Sequence, residues 1–110
     1  MRGLIVPLLI AASPAAAQTC EVNTTEPGIM ARLSGTRNAV ELHKQDAPAA
    51  CVMELDCEVR AGEVRGIDYE LATLVAPKVA PKFHQVRRVT FRFTDGSAQT
   101  CAATTVRAGQ

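Results

Sequence analysis

Apolar and polar residues alternate strictly along two stretches of the chain. From Cys51 to Arg60, Cys51, Met53, Leu55, Cys57 and Val59 fall on one side of an extended backbone, with Glu54, Asp56, Glu58 and Arg60 on the other. From Val86 to Thr94, Val89, Phe91 and Phe93 alternate with Arg88, Thr90, Arg92 and Thr94. Period-two alternation predicts a strand with one buried face. Asp95-Gly96 follows the second stretch directly. That dipeptide suits a tight hairpin turn because both residues accept positive φ. Ser97 to Val106, rich in threonine and small residues, is the expected returning strand.

Weaker patterns fill the rest. Val40 and Leu42 set against Glu41 and His43 predict a short strand over Ala39–Lys44. Ile29–Leu33 reads as a strand or a helical turn, with Pro27-Gly28 and Ser34-Gly35 as loops on either side. Ile67 to Val75 fits both periods, and the neighbouring strands favour a strand there. Ala76 to Lys82, with two prolines and two lysines, reads as an exposed connector. Together these elements predict a mainly β fold, a small antiparallel meander or sandwich stapled by two disulfides. The alternative is α+β with one short helix near residues 67–76.

The first 17 residues stand apart from this scheme. Arg2 precedes an unbroken apolar run from Leu4 to Ala12, and Pro14 and Ala15-Ala16-Ala17 follow. A basic start, a short apolar core and a small-x-small end are the three parts of a cleavable secretory signal. The run is shorter than the roughly 20 residues needed to span a bilayer. Residues 1–17 are therefore read as a signal peptide and residues 18–110 as one small domain, periplasmic or secreted, with no transmembrane segment expected.

A domain of that size buries a modest share of its surface, and exported domains commonly compensate with cross-links. Four cysteines, Cys20, Cys51, Cys57 and Cys101, predict two disulfides. Cys51 and Cys57 share one strand face but lie about 20 Å apart if that strand is continuous. Bridged Cα atoms sit within about 7 Å, so each should pair with Cys20 or Cys101 instead. No redox or zinc spacing is present.

Charge is unevenly distributed. Residues 18–59 hold seven acids against three bases, and residues 60–110 hold eight bases against four acids. Glu54, Asp56 and Glu58 are accordingly expected to pair across strands with Arg88 and Arg92. Lys78, Lys82, Arg87, Arg88 and Arg92 form the one concentrated basic patch, suited to an anionic partner. Near-neutral overall charge and few aromatics argue against nucleic-acid binding.

Chemistry is sparse. His43 and His84 are the only histidines, and Ser34 and Ser97 the only serines beyond the signal. Ser34, His84 and Asp68 can be assembled into a triad on paper, but no nucleophile-elbow pattern supports it. No cofactor or metal site is expected. The expected function is a non-catalytic exported protein acting by binding, a protein-interaction or inhibitor module presenting Thr24–Gly28 or Ala76–Lys82. A structural envelope protein whose basic patch meets an anionic surface is the alternative, and a small secreted hydrolase the least supported reading.

Overall fold

The structure, a computed structural model, describes residues 19–71 and 80–109. The signal-like segment, the 72–79 part of the connector and Gln110 lie outside the described residues. Six strands form one antiparallel sheet: β1 (Ile29–Leu33), β2 (Ala39–Lys44), β3 (Ala49–Leu55), β4 (Val64–Leu71), β5 (Val86–Phe93) and β6 (Ala98–Ala108). Their spatial order is β1-β2-β3-β6-β5-β4. Two three-stranded meanders thus join along the β3–β6 seam, in a single strongly curled, nearly barrel-like sheet rather than two stacked ones.

The alternation explains the curl. Val40, Leu42, Cys51, Met53, Val89, Phe91, Phe93 and Cys101 all point to one face and are fully buried. Phe83 and Val86 join them from the turn of 3-10 helix Phe83–Gln85 and the start of β5. A lone sheet with one apolar face must cover it, and here the sheet rolls its two halves over a common core. No buried polar or charged residue interrupts that core among the described residues.

The β5–β6 hairpin forms as its alternation predicts. Phe93 N–H donates to Ser97 O (2.9 Å) and Gly96 N–H to Phe93 O (3.0 Å). Gly96 takes φ +92°, a conformation that glycine adopts without a Cβ clash. Ile29–Leu33 is a strand, and residues 67–71 of the ambiguous segment belong to β4.

The strand expected from Cys51 to Arg60 is shorter than its alternation implies. It begins at Ala49 and ends at Leu55. The regular ladder ends at Asp56, which stays bonded to β6 in a different way: Asp56 N–H donates to Ala102 O (3.0 Å), while Ala102 N–H donates to the Asp56 carboxylate (2.9 Å) in place of a backbone carbonyl. Past this point Val59 still turns into the core, so the burial rhythm outlasts the strand. Arg37, at φ +61°, holds the departing loop. Its guanidinium donates to the carbonyls of Val59, Arg60 and Gly62 at 2.9, 2.7 and 3.0 Å.

The disulfides are Cys20–Cys51 and Cys57–Cys101, with Cα separations of 5.6 and 5.7 Å. Cys51 and Cys57 do not pair with each other, as expected, although the strand from which that was argued ends at Leu55, before Cys57. Cys20 fixes the incoming segment to β3. Beyond it, Phe83 N–H donates to Val22 O and Thr24 N–H to Pro81 O, linking that segment to the residues just before β5.

The expected pairing of Glu54, Asp56 and Glu58 with Arg88 and Arg92 does not occur. β3 and β5 are not neighbours; β6 runs between them. Arg88 instead meets Glu70 (2.8 Å) and Arg92 meets Asp68 (3.2 Å), both on β4, while Glu54 meets Arg107 on β6 (3.4 Å). Gly66 leaves room beside the second pair, since a Cβ there would stand 3.2 Å from the Arg92 guanidinium. All these pairs are exposed, and each contributes about 0–1 kcal/mol.

Candidate binding slot between the sheet edges

The roll stops short of closure. Among the described residues β1 pairs only with β2 and β4 only with β5, so that within this set each has one free edge. These two edges face one another across a cavity of about 440 Å³, lined by Ala31 and Leu33 of β1 and by Val64, Arg65, Gly66, Ile67 and Tyr69 of β4. Closure into a barrel abolishes edges and is the usual protection for unpaired backbone groups. Here the described residues leave that protection incomplete.

The slot is mixed in character: Leu33, Val64 and Ile67 supply apolar surface, and Arg65 and Tyr69 supply polar groups. Tyr69 packs edge-on against buried Phe83, ring centroids 5.3 Å apart at 85°. Its hydroxyl bonds to no described residue, and burial pushes its pKa up to about 12 by penalising the phenolate. Arg65 stands on the rim. In the β4–β5 ladder Val64 faces Phe93 and Gly66 faces Arg92, so Arg65 is the extra residue of a β-bulge. Bulges lift a side chain out of register and re-aim it, often beside a functional site.

Arg65 also differs from its neighbours electrostatically. Arg32, Arg60, Arg88, Arg92 and Arg107 each form an ion pair, and Arg37 is committed to three carbonyls. Arg65 is exposed and meets no carboxylate among the described residues.

The residues singled out from sequence are scattered around this feature. Of the basic patch, Lys78 lies outside the described residues. Lys82 pairs with Glu21 (3.1 Å), and Arg88 and Arg92 pair as above, while Arg87 reaches only the His84 carbonyl at 3.5 Å. His43 contacts the Lys44 carbonyl with Nδ1, and His84 sits in the 3-10 turn. The Ser34 hydroxyl accepts from Ala39 N–H (3.1 Å), and Asp68 faces Arg92. Two members of the paper triad, Ser34 and Asp68, therefore have separate structural partners. Asp56 lies beside Cys57 and Cys101, but both sulfurs are joined to each other, so no thiolate is present to ligate a metal.

A second, more apolar cavity of about 400 Å³ lies at the other end of β1, lined by Val22, Ile29, Pro48 and Ala50 with Glu21, Glu26 and Lys44 at its rim. Glu26 and Lys44 pair across it at 3.5 Å. It touches the Thr24–Gly28 loop expected to carry binding.

Sequence reasoning missed the slot. The signals were present only in part: Gly66 beside Arg65, in front of an alternating run, is a weak bulge cue. No protein-family model, curated protein or solved structure matches the chain.

Proposed function

We propose that this is a non-catalytic exported binding protein, a protein-interaction module whose contact element is the slot between β1 and β4. One observation carries the reading: among the described residues two unpaired strand edges face each other across a cleft of mixed polarity that bears an arginine without a carboxylate partner. The two disulfides support an oxidising compartment, periplasmic or extracellular, in keeping with the signal-like start of the chain. They also support a rigid module, which loses little conformational entropy when it binds. The alternative of a basic patch on an anionic surface has less support, because the described lysine and two of the three described arginines of that patch are paired with acids.

Ala31 gives the test. It lines the slot and is exposed, so Ala31→Phe fills the cleft without entering the core. Partners captured from native extract by the oxidised protein should be lost with Ala31→Phe and kept with Arg87→Ala. Loss of capture by Arg87→Ala alone, with Ala31→Phe unaffected, would overturn the slot in favour of the patch.

A further inference from the structure

We infer that the slot takes an extended peptide segment, added as a strand along the free edge of β4, with a carboxylate side chain seated on Arg65. The inference rests on the proposed binding role of the slot and specifies its occupant.

Three observations converge on this occupant. The long walls of the cleft are strand edges, and a free edge is a row of backbone donors and acceptors that another strand satisfies. Of the two, β4 is the better template, with eight residues against five in β1. Strand parity agrees. β1 and β4 run antiparallel to one another in this six-stranded order, so one inserted strand pairs antiparallel with one edge and parallel with the other. Antiparallel pairing is the slightly stronger mode, which places it on the longer edge.

Side-chain chemistry then sets the pattern of the guest. Ile67 and Tyr69 face the cleft, while Asp68 and Glu70 point outward and are neutralised by Arg92 and Arg88. The guest strand therefore presents apolar residues inward at every second position. The cation left over on this edge is Arg65, and an acid on the guest complements it. Two registers for pairing of β4 with a second copy of itself, those centred on Asp68 or Tyr69, set Asp68 against Asp68 or against Glu70. The Tyr69 hydroxyl, which bonds to no described residue, offers the guest one further hydrogen bond.

The probe is the acetylated, amidated heptapeptide Thr-Val-Thr-Val-Glu-Val-Lys, with versions carrying Gln or Lys in place of Glu. Binding to the oxidised protein is followed by amide chemical shifts and by tyrosine fluorescence. Tyr69 is the chain's one tyrosine and there is no tryptophan, so the fluorescence reports the slot directly. The Glu peptide is expected to shift β4 amides, to slow their exchange, and to bind at least about tenfold more tightly than the Gln peptide. Arg65→Glu should remove that preference and transfer it to the Lys peptide, while the exposed position leaves Tm unchanged. Arg65→Lys should keep part of it.

Binding that Ala31→Phe abolishes but Arg65→Glu does not alter would overturn the carboxylate assignment and leave the slot's role standing. Shifts confined to β1, with β4 exchange unchanged, would overturn the choice of edge. Absence of any shift with all three peptides, alongside saturable binding of dodecanoate in the slot, would overturn strand addition and the protein-interaction role together.

Discussion

Replacing Cys57 and Cys101 together by alanine tests how the departing loop is held. That bridge spans a sequence separation of 44 residues. On the chain-entropy treatment, a loop of that length restricts the unfolded chain by about 4 kcal/mol. A domain of this size has a total stability of about 5–15 kcal/mol, so the loss is a large fraction of the whole. Two features bear on the outcome. Cys101 is buried and its truncation leaves a small void, which adds to the cost. The Asp56–Ala102 pair of hydrogen bonds and the Arg37 clasp remain and keep the loop near β6 in the folded state. The native structure should therefore survive with its stability reduced by about 4 kcal/mol. With a slope of about 1–1.5 kcal/mol per molar urea for so small a domain, the midpoint falls by roughly 3 M. Equilibrium urea unfolding followed by far-UV circular dichroism, with the Cys20–Cys51 bridge intact in both proteins, measures it. A drop below about 1 kcal/mol would refute the reasoning, because it would mean that the bridge does not restrict the unfolded chain.

Three further outcomes are expected. Arg37→Ala removes a charged donor from three carbonyls and should cost about 1.5–3 kcal/mol in the same urea experiment, more than truncation of any exposed ion-pairing arginine. Alkaline titration of tyrosinate absorbance should show a single midpoint near 12 rather than near 10. Since that pKa is raised in the folded state, the contribution of Tyr69 to stability is complete below its unfolded value and disappears as pH rises through about 12. At the β5–β6 turn, the Ser97 hydroxyl and then its backbone N–H hold the Asp95 carboxyl below the usual range. A lowered carboxyl pKa stabilises above the unfolded value and that benefit is lost as pH falls through the folded one. Asp95→Asn should accordingly lose stability relative to the parent at neutral pH, and the gap in Tm should narrow as the solution is acidified below pH ~4.

The sequence carried the strands whose burial is one-sided and the turn whose chemistry is local. Phe91 and Phe93 alternate cleanly with Arg92 because one face of β5 meets the core, and Asp95-Gly96 needs only its own backbone to define the bend. The end of β3 was not legible. Val59 remains buried after the ladder has broken, so apolar rhythm and hydrogen-bond pairing diverge there. The ion pairs were misassigned for a different reason: Arg88 and Arg92 choose partners by strand order, and no local pattern says that β6 separates β3 from β5. The slot was hidden for the same cause. Leu33 and Ile67 meet the same cavity only because the sheet rolls, and Arg65 stands out only once the bulge removes it from register.

The β3–β6 seam also imposes an order in time. A chain emerging from its amino end can assemble β1, β2 and β3 and join Cys20 to Cys51 early, yet the partner of β3 is the last strand to appear. Until Ala98–Ala108 arrives, the inner flank of β3 stays open and Cys57 has no native mate. Contacts this distant along the chain make folding slow and leave a half-built sheet exposed to wrong neighbours. Correct maturation therefore depends on the second oxidation waiting for the carboxyl-terminal strand.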